Sequence, residues 1–236
     1  MPDIKALRKA SNSSKSGPSH QAIEDYLKTI YRLAQEEFPV STSRLAEARD
    51  VKPASVTGMI KRLASLDLVN YQKHYGVTLT ESGRKIALEV IRHHRLIETY
   101  LMKALGFEWD EVHEQADLLE HVISEKLEAR IAAYLNHPEF DPHGAPIPRK
   151  DGSIPHVQTR PLTTMMIGDQ GEISQIRSDS DSDLLRLLAD CGLIPGATLK
   201  VLEISADREK YTVQLTTENA KQELGFDVAD SILIKL

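Results

Sequence analysis

The sequence predicts a mainly α chain with small β parts, arranged as three domains. Three observations carry that expectation. Apolar residues recur at spacings of three and four through the first 135 or so positions, which is the period of amphipathic helices. Two short β-like runs, near 70 and 78, interrupt that pattern. Beyond a stretch between Asn136 and Pro161 with six prolines and two glycines, β-branched runs surround one short helix.

Residues 1–19 are small, polar and charged, with Pro18 as a stop, and are expected to form a disordered arm. From His20 to about Glu36, Ile23, Tyr26, Leu27, Ile30, Tyr31 and Leu33 mark one face of a helix that Phe38-Pro39 ends. A short helix follows from about Thr42 to Arg49, with serine and threonine at its start. Asp50-Val51-Lys52 turns the chain. Pro53 suits the first position of a third helix, which runs to about Leu66 with Val56, Ile60 and Leu63 inward. Leu68–Gln72 and Gly76–Thr80 then form strands joined by Lys73-His74-Tyr75. Helix, helix, turn, helix and hairpin make a winged helix-turn-helix over residues 20–83.

Thr80 caps a long helix to about Leu105, Gly106 terminates it, and Asp110 caps another that is expected to reach about Asn136. These helices form a domain over 84–148, followed by a linker at 149–161. Residues 162–236 carry β-rich segments at Gly171–Ile176, Thr198–Ile204, Tyr211–Thr216 and Ser231–Leu236 around a helix from Asp183 to Cys191. Small strands with turns at Gly192 and Pro195-Gly196 suggest a compact barrel.

No run of 18 apolar residues occurs, so a membrane span is not expected. The charged, serine-rich first residues lack the apolar core of a signal peptide. The lone Cys191 fits a reducing cytoplasm, and its apolar helix face suggests packing. A net charge of −6 counts against nucleic acid as a partner, but the charge is unevenly spread. From Val40 to Lys85 eight basic residues stand against four acidic ones, a local +4. In a helix-turn-helix the second helix enters the major groove. Ala54, Ser55, Thr57, Gly58 and Lys61 would face base edges there, while Arg44, Lys61, Arg62 and Lys73 would hold phosphates. Without arginine in the first two turns, bidentate reading of guanine is not expected. Duplex binding of this kind weakens as salt rises.

His113, Asp117, Glu120 and His121 fall at spacings of four, three and one, on a helical stripe about 100° wide. Two imidazoles and two carboxylates on one face repel unless a cation sits between them. His94 and Glu98, four apart on the preceding helix, could bring a second stripe to shared ions. Alone, such pairs are ordinary helix-surface contacts; together they read as a metal site. His74, His93, His137, His143 and His156 lack this pattern and read as surface or loop residues.

Several strings make the chain resemble the diphtheria toxin repressor family of metal-dependent regulators. They are Ile23-Glu24-Asp25-Tyr26-Leu27-Lys28-Thr29-Ile30-Tyr31, His94-Arg95-Leu96-Ile97-Glu98, Val112-His113-Glu114 and Glu120-His121-Val122. Asp141-Pro142-His143-Gly144 followed by Pro146-Ile147-Pro148 is a further family hallmark. The resemblance implies a primary site at Asp25, Asp117, Glu120 and His121. It implies a second at His94, Glu98 and His113, completed from the last domain by Asp183, with Ser180 standing where the family has a glutamate. Where the iron-responsive branch has methionine and cysteine, this chain has Asp25 and Asp117. Hard oxygen donors with imidazole favour Mn²⁺, with Fe²⁺ as the alternative. Lys28 stands where the two-ion manganese sensors have a glutamate. Leu187 to Gly196 with Leu199, Val201 and Leu202 resembles the FeoA-like, SH3-type domain appended to many of these repressors.

The function implied is that of a cytoplasmic homodimeric repressor that senses Mn²⁺ and controls metal-uptake genes. It would bind a palindromic double-stranded operator with its recognition helices about one duplex turn, roughly 34 Å, apart. The rival is a metal-dependent hydrolase using the His/Asp/Glu cluster. No Gly-x-Ser-x-Gly, His-Glu-x₂-His or phosphate-binding glycine loop accompanies that cluster, so a non-enzyme is expected.

Overall fold

The structure, a computed structural model, describes residues 19–177, 181–216 and 220–236. The expected arm, apart from Ser19, and Ser180 lie outside the described residues. The described residues divide into two compact units, one of residues 19–92 with 150–152 and one drawn from 93–149 and 153–236.

The first unit is the winged helix-turn-helix. Helix α1 (His20–Leu33) starts at Ser19, whose hydroxyl accepts the Ala22 N–H at 3.2 Å. Helix α2 (Thr42–Ala48) starts the same way at Ser41, and α3 (Pro53–Ser65) opens on proline. Asp50, in the turn between α2 and α3, has a φ of 48°, a left-handed value that aspartate tolerates. Strands β1 (Val69–Gln72) and β2 (Gly76–Leu79) pair antiparallel, Val69 opposite Leu79. Val40 bridges to Val77 and ties the loop after α1 to the wing. Ile23, Leu27, Ile30, Leu45, Val56, Ile60, Leu63, Leu68 and Val77 fill the core. Helix α4 (Glu81–Leu105) begins here, where Ile86, Ala87 and Val90 join that core.

The second unit contains the rest of α4, α5 (Val112–Leu119) and α6 (Glu125–Tyr134). The single helix expected from 110 to 136 is therefore two. Val122 and Ile123 are β-branched, and Ser124 offers its hydroxyl to the Leu127 N–H at 3.2 Å, so a new cap competes with continuation. The proline-rich stretch after α6 is irregular, yet much of it is buried. Asp141 Oδ1 accepts the N–H groups of His143 and Ala145 at 2.8 and 2.9 Å, an aspartate-built turn. At Gly144 (φ +84°) a Cβ would stand 2.0 Å from the Ser174 carbonyl oxygen, so only glycine fits.

The C-terminal part runs β3 (Thr159–Pro161), a 3₁₀ turn (Leu162–Thr164), β4 (Gln170–Ile176), α7 (Ser182–Asp190), β5 (Thr198–Ile204), β6 (Lys210–Leu215), β7 (Lys221–Gly225), α8 (Phe226–Ser231) and β8 (Ile232–Lys235). The six strands form an antiparallel sheet in the order β3-β8-β4-β5-β6-β7. Strands β3 and β7 and helix α8 go beyond the four segments expected. The core of this sheet domain includes Leu162, Met165, Ile173, Leu185, Leu188, Val201, Tyr211 and Ile232. It also includes Trp109, from the α4–α5 connection. Cys191 packs at the edge of that core. The Ser182 hydroxyl donates to the Asp110 carbonyl at 3.0 Å, and Arg186 donates to the Asp110 carboxylate at 2.8 Å. The sheet core thus takes in Trp109, with Met102 of α4 packed against it, while the helices keep apolar clusters of their own. No helix among the described residues is long and apolar enough to cross a membrane.

Candidate metal centre and nucleic-acid interface

His94 and Glu98 stand one turn apart on α4, His113 and Asp117 one turn apart on α5, and Glu120 and His121 at the end of α5. The second unit draws all six together. His94 is at the middle. Its Nε2 lies 2.9 Å from Glu98 Oε1, and its Nδ1 lies 2.6 Å from Glu120 Oε2 and 3.3 Å from Asp117 Oδ1. His113 Nδ1 lies 3.2 Å from Glu98 Oε1 and 3.1 Å from His94 Nε2. Glu120 Oε1 lies 3.2 Å from His121 Nε2. Asp117 is the exposed member; Glu98, His94 and Glu120 are buried. The two groups of donors read from the sequence therefore meet through His94, although α5 ends at Leu119, so the expected helical stripe stops short of His121. Burial tends to raise the Glu98 carboxyl, but His94 and the hydrogen bonds of His113 and His94 outweigh it and hold Glu98 well below the usual carboxylate range.

A second group lies on the other side of Glu98. Its Oε2 is 3.9 Å from His143 Nδ1, and donor atoms of Glu98, Asp141 and His143 all come within 4.8 Å of one another. All three residues are buried. Glu98 Oε2, His143 Nδ1 and Asp141 Oδ2 each lack a hydrogen-bond partner, although Arg95 Nε stands 3.4 Å from Asp141 Oδ2. His143 Nε2 donates to the Trp109 carbonyl at 2.8 Å. That donation leaves Nδ1 facing two carboxylates. Metal-bound histidines are typically oriented by such a donation to a backbone carbonyl. Burial first, and Glu98 second, push Asp141 up to about 6 against the pull of Arg95 and His143. Buried polar atoms without hydrogen-bond partners are costly; a divalent cation between these three groups would supply one.

His143 is a loop residue, as expected, but a fully buried one. His93 is neither surface nor loop: it lies on α4, buried, with Nδ1 3.2 Å from the Glu120 carbonyl. His74, His137 and His156 are exposed, as expected. Asp183 does not join the cluster: its side chain is 99% exposed, and its ion-pair partner is Arg186 at 3.9 Å. Asp25 lies on α1 in the first unit, where its Oδ2 accepts a hydrogen bond from Arg49 Nη2 at 3.1 Å.

In the first unit, Ala54, Ser55, Gly58, Lys61 and Arg62 are exposed on α3, and Lys73 is exposed at the wing. Thr57 is half-buried and its hydroxyl donates to the Pro53 carbonyl at 3.0 Å, which leaves it an acceptor only. Arg44 is exposed but already engaged. It donates to Glu47 at 2.9 Å and Glu36 at 3.5 Å, with Glu37 at 3.9 Å.

A winged helix-turn-helix with a basic second helix, on the same chain as a buried carboxylate–imidazole centre, defines a metal-responsive DNA-binding regulator. The chain belongs to the iron-dependent repressor family. Residues 20–77 match the iron dependent repressor N-terminal DNA binding domain, and residues 80–149 its metal binding and dimerisation domain. Residues 160–236 match the FeoA domain. The chain is 32% identical over 190 residues to the iron-dependent repressor IdeR of Mycobacterium tuberculosis, covering 75% of this chain and 82% of that protein. It is 28% identical over 225 residues to the diphtheria toxin repressor of Corynebacterium diphtheriae, covering 90% and 96%. A solved manganese-dependent transcriptional repressor in complex with manganese superposes with a TM-score of 0.83 at 41% identity, covering 90% of this chain and 99% of that one. The protein is thus a metal-dependent transcriptional repressor that binds operator DNA as a dimer, and not a hydrolase.

Proposed function

We propose that this repressor senses Mn²⁺ in the cytoplasm and controls metal-uptake genes at palindromic operators. The observation that carries the metal choice is the donor set. Every candidate ligand is a carboxylate or an imidazole, and no sulfur is among them, which suits Mn²⁺ ahead of later transition metals. That one similar structure was solved with manganese supports the same reading. Fe²⁺ shares these preferences and is the second reading, since iron is the metal in the name of the relative IdeR.

In this proposal Asp25, Asp117, Glu120 and His121 hold the activating ion. Glu98, Asp141 and His143 hold a second, because the Oε2 side of Glu98 has three buried polar atoms without hydrogen-bond partners, whereas Oε1, His94 and His113 contact one another. A divalent ion supplies the charge that lets these donors converge. Asp25 then couples α1, and with it the DNA-reading helices, to the helices that dimerise. Leu118, Val122 and Leu127 are exposed on or near α5 and α6 and suit the dimer contact. Titration of a labelled palindromic duplex with Mn²⁺, Fe²⁺ and Zn²⁺ under anaerobic conditions tests the proposal. Mn²⁺ should tighten binding at the lowest free concentration; equal response to all three would overturn ligand hardness as the selector. Asp25→Ala should abolish the metal response while the fold stays intact by circular dichroism.

A further inference from the structure

We infer that Arg49 is an internal cation that competes with the activating metal for Asp25, and so sets the metal concentration at which the repressor loads. The inference rests on the reading of Asp25 as a ligand. Arg49 and Asp25 are 24 residues apart, so their 3.1 Å contact is a tertiary choice and not a helix-neighbour accident. The guanidinium carbon also sits 5.4 Å from the centroid of the Tyr26 ring, which fixes the side chain by cation–π attraction. Both partners are partly shielded, with side chains 30% and 21% exposed, so salt screens this pair less than a surface one.

An aspartate oxygen at hydrogen-bond distance from a guanidinium is the same oxygen a divalent ion would approach. Two routes to metal binding exist. Asp25 can leave Arg49, which loses the ion pair, or it can present its other oxygen while Arg49 stays, which leaves a positive charge close to a doubly charged ion. Both weaken binding. Arg49 also occupies the end of α2, where its backbone N–H donates to the Leu45 carbonyl at 3.1 Å. Asp50, Val51 and Lys52 then lead straight into α3. The pair therefore ties the first-helix ligand to the turn that aims the recognition helix.

Mn²⁺ binding to the full chain, without DNA, is measured by calorimetry and equilibrium dialysis for the wild type, Arg49→Gln, Arg49→Lys, Arg49→Met and Asp25→Asn. Arg49→Gln and Arg49→Met remove the charge, and methionine keeps an apolar stem against Tyr26. Both should tighten one Mn²⁺ site by about tenfold. Arg49→Lys, which keeps the charge, should stay within about twofold of wild type. Melting in EDTA provides a second readout: Arg49→Gln should melt below wild type without metal and gain more on adding Mn²⁺. If Arg49→Gln and Arg49→Met bind Mn²⁺ no tighter while Asp25→Asn loses an ion, the competition is refuted and the ligand assignment stands. If Asp25→Asn keeps its full metal complement, the ligand assignment itself fails.

Discussion

With its Nε2–H given to the Trp109 carbonyl, His143 has one nitrogen left for chemistry, and it faces Glu98 and Asp141. His143→Ala should lower the Mn²⁺ content of the dialysed protein by one ion per chain. His113→Ala, on the other side of Glu98, should leave that ion in place. Metal analysis of the two variants distinguishes the positions. Loss of both the buried ring and its hydrogen bond should cost about 1–3 kcal/mol in the metal-free protein, read from denaturant unfolding. His143 also shows where reading by period stops. His113 and Asp117, like His94 and Glu98, announce themselves by a spacing of four because helices repeat. Asp141 and His143 come from an irregular turn, and a turn has no period. The only signal was the string Asp141-Pro142-His143-Gly144 itself, which marked a family without marking a ligand.

At the scale of elements, Gly58 is the unexpected residue. It sits inside α3, where glycine costs about 1 kcal/mol relative to alanine, and a Cβ there would meet nothing within 4 Å. No packing in the unit demands it. Gly58→Ala should therefore raise the melting temperature of the free protein and weaken operator binding, because the added methyl stands on the face offered to the groove. Calorimetry and a gel-shift with the same preparation test both halves. Charge on the same face is open to a salt titration. Lys61→Ala and Arg62→Ala should each reduce the slope of log affinity against log salt by about one. Arg44→Ala should change the slope less, since Glu47, Glu36 and Glu37 already neutralise that side chain. The winged helix was legible almost residue by residue, since serine caps, Pro53 and the apolar period all agreed. The apolar period continues across the break between α5 and α6 and hides it; the residue that marks it is Ser124, the cap of α6.

For the whole molecule, metal and DNA must raise each other's affinity by the same factor. EDTA should weaken operator binding as much as operator strengthens Mn²⁺ binding, and calorimetry in both orders measures the two. Free Mn²⁺ at about a hundred times its dissociation constant should stabilise the fold by about 2.7 kcal/mol per site, seen as a higher melting temperature. Of the C-terminal sheet, β4, β5, β6 and β8 were legible from their apolar runs. Strand β7 was not: Lys221, Gln222 and Glu223 make it a polar edge strand with only Leu224 buried, and charged edges carry little hydrophobic signal. Nor did any pattern foretell that the sheet domain would borrow Trp109 from the α4–α5 connection for its core.

That borrowing makes Trp109, the chain's sole indole, a native fluorophore at the seam. It is 9% exposed, lies inside the sheet domain's apolar cluster, and its ring stands 5.5 Å from that of His143. Undocking of the C-terminal domain would wet the indole and shift its emission to the red, whereas a paramagnetic ion next to His143 would quench it without moving the maximum. Two events that other probes blur therefore leave separate optical signatures, with no dye attached.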